Sequence, residues 1–159
     1  MAVEEPVPMT REGVERLKRE LEELEGIRLA EAIANLEAAR GSGADLAESA
    51  EFAEAKAQLA MLHERIAGLR KLLGRVQLIS DEKPSNRVGL GSRVVVFLED
   101  EREEVSYRLV GTIEADPLAG QLSNRSPLGR ALLGKKVGQR VRWSLPGGRT
   151  NTALIREVR

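Results

Sequence analysis

The first half of the chain has apolar residues at the spacing of a two-helix coiled coil. In its first segment they follow steps of three and four at Val14, Leu17, Leu21 and Leu24, then continue more loosely at Ile27, Leu29, Ile33 and Leu36. In its second segment the same steps run without interruption at Phe52, Ala55, Leu59, Leu62, Ile66, Leu69, Leu73 and Val76. Thr10 suits the cap of the first helix, and Gly41-Ser42-Gly43 separates the two segments. We therefore predict two long helices that fold back as an antiparallel hairpin.

In the second half the apolar period changes to two, which is typical of strands. Four segments show this alternation: SRVVVFLED, EEVSYRLVG, RVRWSLPGG and TALIREV. Between them, SPLGRALLG predicts a short helix with Ser126 as N-cap, Pro127 at the first helical position and Gly134 just past the end. The chain is thus predicted to be α+β. Residues 1–80 form a coiled-coil hairpin with an acidic tip at 41–52, and residues 81–159 form a small sheet-plus-helix domain.

Composition narrows the chemistry that the protein can perform. The chain has no cysteine and one histidine, which excludes disulfides, thiolate metal sites and most zinc chemistry. The N-terminal residues are acidic and contain proline, unlike a signal peptide, and no apolar run is long enough to cross a membrane. We therefore expect a cytoplasmic protein without a membrane partner. Residues 81–159 hold 14 basic and 10 acidic residues, too weak an excess to bind nucleic acid by charge alone.

The predicted tip of the hairpin is GSGADLAESAEF at 41–52, and from Asp45 onward it has an acid at every third position. These acids are Asp45, Glu48 and Glu51, and the spacing continues beyond the tip to Glu54. Asp45 and Glu48 match a capping box for the second helix, and acids suit the positive end of its dipole. The same pair, three residues apart on one face, could also share a hard divalent cation with another molecule. The spacing alone leaves both interpretations open.

Several segments resemble the bacterial transcript-cleavage factors GreA and GreB, and the likeness covers nearly the whole chain. MTREGVERLKRELEEL resembles the opening helix of that family, and DLAESAEF resembles its tip motif, usually G-D-L-x-E-N-A-E-Y. YRLVGTIEAD and SNRSPLGRALLGKKVGQRV resemble its C-terminal domain. The resemblance implies an FKBP-like C-terminal domain that docks on the rim of the secondary channel of RNA polymerase, with the hairpin inserted into the channel.

For the tip, the resemblance implies that Asp45 and Glu48 help RNA polymerase to hold a second Mg²⁺ and a water that hydrolyses backtracked RNA. The polymerase would be the enzyme, and this chain an accessory factor that binds no metal stably by itself. Arg40 and Lys56 would contact the 3′ end of the nascent RNA, and any contact with DNA would be indirect. Three residues would support the tip: Ser49, Glu51 and Phe52.

For the C-terminal domain, the resemblance implies that Asp116 and Pro117 lie in a loop that approaches the polymerase rim. Ser126 and Pro127 open the helix beside that loop and are included in the predicted docking site. Capping alone also explains these last two residues.

The tip departs from the family motif. Ala44 stands in place of its Gly, Ser49 of its Asn and Phe52 of its Tyr, and the loop after Arg40 is one residue longer. A shift of the carboxylates by about 1 Å could cost about a hundredfold in rate. A second hypothesis is therefore a Gre-like regulator that occupies the channel without cleavage and pauses or inhibits the polymerase, or competes with cleavage factors.

Two further hypotheses do not involve the channel. One is a peptidyl-prolyl isomerase or chaperone, for which the domain has few aromatic residues: Phe97, Tyr107 and Trp143. The other is a generic coiled-coil oligomer, which the glycine break makes less suitable than a monomeric hairpin. Neither the direction of the regulatory effect nor the preferred length of backtracked RNA follows from the sequence.

Overall fold

The structure is a computed structural model that describes residues 4–41, 50–79 and 86–159. The chain divides into two compact units. The first contains Glu12–Val76, and the second contains Glu5–Arg11 and Gln77–Arg159. None of the described helices is long and apolar enough to span a membrane.

The first unit is helical, as the apolar spacing predicts. Helix α1 spans Arg11–Glu23 and continues through a π-helical segment, Leu24–Arg28, into α2 at Leu29–Gly41; helix α3 spans Ala50–Leu73. Helix α3 packs against α2 and the π-helical segment. The buried residues of α3 are Ala55, Ile66 and Leu69, three of the predicted seam positions. The helical hairpin is confirmed.

The π-helical segment accounts for the loose spacing in the first helix. Leu24 and Leu29 are five residues apart, so a regular α-helix would rotate them about 140° away from each other. A π-helical turn, closed by i→i+5 hydrogen bonds, contains more residues than an α-helical turn, so Leu24 and Leu29 are rotated less far apart. Both side chains are half-buried. Ile27 and Ile33, which the apolar spacing included, are instead 68% and 42% exposed. After the π-helical segment, the half-buried positions are Leu29, Ala32, Leu36 and Ala39.

The end of α3 differs from the prediction. The apolar spacing extended the helix to Val76, but α3 ends at Leu73 and Val76 begins strand β2, Val76–Leu78. Gly74 closes the last turn by donating its N–H to the carbonyl of Arg70 at 3.0 Å. Strand β2 pairs with β1, Val7–Met9, which the sequence pattern did not predict. Backbone pairing with a distant segment thus replaces the last predicted helical turn.

The second unit contains a five-stranded sheet with the order β5-β4-β3-β7-β6. Its strands are β3 Arg93–Leu98, β4 Glu103–Val110, β5 Gln121–Ser123, β6 Arg140–Ser144 and β7 Thr150–Val158. All neighbours are antiparallel except β4 and β5, which are parallel. The four predicted strands are confirmed. Strand β5 was missed because three residues are too few to show a period of two.

One face of this sheet forms the core of the second unit. Helix α4, Pro127–Leu132, contributes Leu128 and Leu132 to that core. Trp143 lies in the same cluster and Tyr107 packs against it, as expected for aromatic residues in strands. The other buried apolar members are Val88, Val94, Val96, Leu98, Leu109, Val141, Ala153 and Ile155. The predicted α+β architecture is therefore confirmed.

Candidate functional sites

The predicted tip, residues 41–52, begins at the last residue of α2, Gly41, and ends in the first turn of α3, which starts at Ala50. Asp45, Glu48 and Ser49 fall outside the described residues, so their proposed roles stay predictions. Glu51, in the first turn of α3, is exposed, and Phe52 is half-buried on the same side as the buried Ala55. Phe52 therefore retains an apolar packing position although its side chain has no hydroxyl.

The two predicted RNA-contacting residues stand on the two helices that lead to the tip. Arg40 is in the last turn of α2, and Lys56 is in the second turn of α3. Both side chains are exposed. Exposed cations at these positions are accessible to an external phosphate.

The donor chemistry of the tip suits Mg²⁺, which prefers carboxylate and water oxygens. Asp45 and Glu48 supply two such carboxylates, too few to fill six positions around the ion. Within residues 4–41, 50–79 and 86–159, no group of three or more His, Asp or Glu side chains is placed to hold a metal ion. A metal held by these two carboxylates would have water or ligands from another molecule at its remaining positions.

In the second unit, Asp116 and Pro117 form a closed turn. Asp116 caps a short 3-10 helix, Pro117–Ala119, and its carboxylate accepts the N–H of Leu118 at 3.1 Å. Asp116 and Gln121 exchange two backbone hydrogen bonds, each 2.9 Å long. Gly120 ends the turn with a φ of 71°, a left-handed conformation that glycine adopts without strain. The loop is therefore held in one shape by its own hydrogen bonds.

Ser126 and Pro127 have the capping roles that the sequence predicts. The Ser126 hydroxyl accepts the N–H of Gly129 at 3.0 Å and donates to the carbonyl of Ser123 at 2.6 Å. Pro127 occupies the first turn of α4, where a missing N–H costs little. These contacts account for both residues structurally, without any partner.

Strand β5 joins the two predicted docking elements. Its first residue, Gln121, pairs with Asp116, and its last residue, Ser123, accepts the hydroxyl of Ser126. The four predicted docking residues therefore lie at the two ends of one three-residue strand. We call Asp116, Pro117, Ser126 and Pro127 the β5 surface.

Sequence analysis did not identify two residues that lie near this surface in the chain. Glu114 is buried and accepts hydrogen bonds from both the backbone N–H of Thr10, at 2.7 Å, and the Thr10 hydroxyl. Leu118, in the turn capped by Asp116, is 100% exposed. A single glutamate between Ile113 and Ala115 gives no sign that its carboxylate is buried, and a leucine after proline gives no sign of exposure.

The aromatic residues of the second unit are used for packing. Trp143 is buried, Tyr107 packs against the core, and the guanidinium of Arg156 covers the Phe97 ring with 5.4 Å between its carbon and the ring centroid. An isomerase pocket for proline would need aromatic faces open to a ligand. This arrangement gives the isomerase hypothesis no support.

Comparison with known protein families finds a match for each half of the chain. Residues 7–78 match the family described as transcription elongation factor, N-terminal, and residues 83–159 match transcription elongation factor, GreA/GreB, C-term. Transcription elongation factor GreA of Bacillus velezensis is 38% identical over 98% of this chain and 99% of the relative, and that of Bacillus subtilis has the same identity and coverage. A solved structure of the GreA factor homolog 1 (Gfh1) protein of Thermus thermophilus is 29% identical, covers 97% of this chain and 99% of its own, and has a TM-score of 0.44.

Proposed function

This chain belongs to the GreA/GreB family of transcription elongation factors, and from that premise we propose that it binds RNA polymerase and stimulates cleavage of backtracked RNA. In this proposal the polymerase performs the hydrolysis and the protein is an accessory factor. It acts as a monomer in the cytoplasm, where its hairpin enters the secondary channel of the polymerase. The observation that carries the proposal is the match of both halves of the chain to one family, together with an acidic tip sequence between two packed helices.

At the tip, Asp45 and Glu48 would hold a Mg²⁺ ion together with ligands from the polymerase. When bound there, the ion would make a water more acidic and would stabilise negative charge on the reacting oxygens. Arg40 and Lys56 would bind the backbone near the 3′ end of the RNA, since exposed cations attract phosphates. Ser49, Glu51 and Phe52 would support the tip, with Phe52 packed on the hairpin.

At the other end of the chain, the β5 surface would dock on the polymerase rim. The support for this role is structural order: the turn that begins at Asp116 and the helix capped by Ser126 are both closed by internal hydrogen bonds. A preordered surface loses little conformational entropy on binding, which favours affinity. Asp116 and Pro117 are exposed and available for contact.

The proposal is tested by RNA cleavage in stalled, backtracked elongation complexes containing Mg²⁺. We expect the wild-type protein to accelerate cleavage, and we expect Asp45→Asn or Glu48→Gln to reduce that acceleration by about a hundredfold, since each loses a ligand worth several kcal/mol at the transition state. Glu54→Gln is the matched control, because Glu54 is an exposed acid on α3 that accepts a hydrogen bond from Gln58 at 3.3 Å. Binding of each variant to the polymerase is measured in parallel.

The same experiment separates the second candidate function, a channel regulator that does not cleave. That candidate is favoured by the departures Ala44, Ser49 and Phe52 and by the longer loop. It predicts tight binding and slower elongation without faster cleavage, with Asp45→Asn and Glu48→Gln behaving as the wild type. That result would reject the cleavage mechanism while leaving the polymerase as the partner.

A further inference from the structure

We propose that Leu118, Arg93 and Arg108 form a second part of the polymerase contact, which accepts a protein segment carrying an apolar side chain next to a carboxylate. This inference rests on the proposed function, because it names the chemistry of the partner segment that meets the β5 surface. It concerns residues that neither the sequence pattern nor the family resemblance singled out.

The first observation is an exposed leucine on an ordered turn. Leu118 is 100% exposed, although Asp116 caps its N–H and Gly120 closes the turn behind it. Ile113, in the same connection between β4 and β5, is 51% exposed. Single exposed apolar residues are common on protein surfaces. A fully exposed leucine held by a closed turn is different, because it presents an apolar contact at little entropic cost.

The second observation is a pair of arginines placed opposite each other. Arg93 of β3 and Arg108 of β4 are direct cross-strand partners, and like charges at such positions destabilise a sheet. No carboxylate in the described part of the chain forms an ion pair with Arg93. Arg93 is exposed, so a carboxylate from a partner can reach it, and guanidinium groups bind carboxylates with two parallel hydrogen bonds.

The third observation connects the arginines to the turn. The N–H of Arg108 donates to the carbonyl of Gly120 at 2.8 Å, and Arg108 is the strand partner of Gln121. A pocket of about 190 Å³ is lined by Arg93, Arg108, Gly120 and Gln121 among others. This space is large enough for the end of an aspartate or glutamate side chain. The cationic pocket therefore borders the turn that carries the exposed leucine.

These features favour a protein partner over a nucleic acid. Single-stranded nucleic acids bind mainly through cationic grooves combined with aromatic rings on which bases stack. Here the fully exposed apolar group is an aliphatic side chain. Tyr107, which also lines the pocket, is partly buried against the core, and the Phe97 ring on β3 is covered by Arg156. An apolar contact beside a charge-assisted one is typical of protein interfaces, where arginine is enriched at the strongest contacts.

The test measures the affinity of full-length variants for purified RNA polymerase at low and at moderate salt. Leu118→Ser is expected to weaken binding about tenfold, the loss of one strong interface contact. Arg93→Gln is expected to weaken it about fivefold at low salt and to reduce the salt dependence, and Arg93→Glu to weaken it further. Val137→Ser and Arg142→Gln are matched controls, because both residues are exposed in the same unit and away from the pocket lining. Each variant is also titrated with a single-stranded RNA oligonucleotide.

Each outcome decides the inference. Weaker polymerase binding by Leu118→Ser and Arg93→Gln, with unchanged controls, supports it. Unchanged polymerase binding by both variants overturns it and leaves the proposed function intact if the wild type still accelerates cleavage. Loss of RNA binding by Arg93→Gln without loss of polymerase binding assigns the pocket to nucleic acid and also overturns it. A wild type that does not bind polymerase rejects the proposed function together with this inference.

Discussion

The carboxylate of Glu114 binds both hydrogen-bond donors of Thr10, a residue 104 positions earlier in the chain. Each residue is 3% exposed. A buried carboxylate is costly unless donors satisfy it, and here a backbone N–H and a hydroxyl do so. Glu114 precedes Asp116 by two residues, so the pair anchors the connection from β4 to β5 from which the β5 surface begins.

Removal of the Glu114 side chain is expected to destabilise the protein. In Glu114→Ala the N–H of Thr10 loses its buried acceptor, which costs about 1–3 kcal/mol of the free energy of unfolding. Urea unfolding followed by circular dichroism measures this cost. Glu104→Ala removes an exposed acid from β4 and is expected to change the unfolding free energy by less than about 0.5 kcal/mol. Equal effects of the two substitutions would contradict the role assigned to Glu114.

The close approach of α4 to β5 makes Gly129 sensitive to any side chain. A Cβ at this position would lie 2.0 Å from the carbonyl oxygen of Ser123 and 2.9 Å from the Ser126 hydroxyl. We expect Gly129→Ala to cost at least about 1–3 kcal/mol of unfolding free energy, because backbone would have to move. Gly68→Ala, in α3 with open space around it, is expected to stabilise by about 0.5–1 kcal/mol. Thermal unfolding of both variants tests these opposite effects on stability. A Gly129→Ala protein as stable as the wild type would contradict the prediction.

The stability of the hairpin is expected to depend on a few buried positions. Leu69 in α3 is 1% exposed, so Leu69→Ala should cost about 2–5 kcal/mol through lost apolar burial and the cavity left behind. Met61, in the same helix, is 70% exposed, and Met61→Ala should change stability by less than about 0.5 kcal/mol. Chemical unfolding monitored by helical circular dichroism compares them. A similar loss in both variants would mean that α3 buries a different face.

Ionisation of Tyr107 is expected to lower the stability of the protein at alkaline pH. Partial burial raises the pKa of its phenol above the ordinary value of 10.0, and the negative charges of Glu101 and Glu103 raise this pKa further. Because the unfolded chain then loses this proton at a lower pH than the folded chain, stability falls as pH rises above about 10. Tyr107→Phe cannot ionise and should lose less stability over that range. Unfolding free energies of both proteins from about pH 8 to 11 test this, and parallel curves would reject it.

Local residue patterns determined much of this fold by themselves. The spacing of apolar residues in steps of three and four predicted the helical hairpin, since burial on one face of a helix requires that period. The alternation in the second half predicted four strands, and Ser126 followed by Pro127 predicted the start of α4. The assignment of Asp45 and Glu48 to a metal depends on family resemblance, because a capping box has the same spacing, and it stays a prediction.

Other features were decided by contacts between residues distant in the chain, which no local pattern records. Val76 is not part of the helix, because it begins β2, whose extended backbone pairs with β1. The burial of Glu114 depends on Thr10, and the cationic pocket depends on the register that places Arg93 opposite Arg108. A period in sequence reports which face of an element is buried. Only the tertiary structure decides which polar groups meet there, because register and long-range pairing depend on the whole chain.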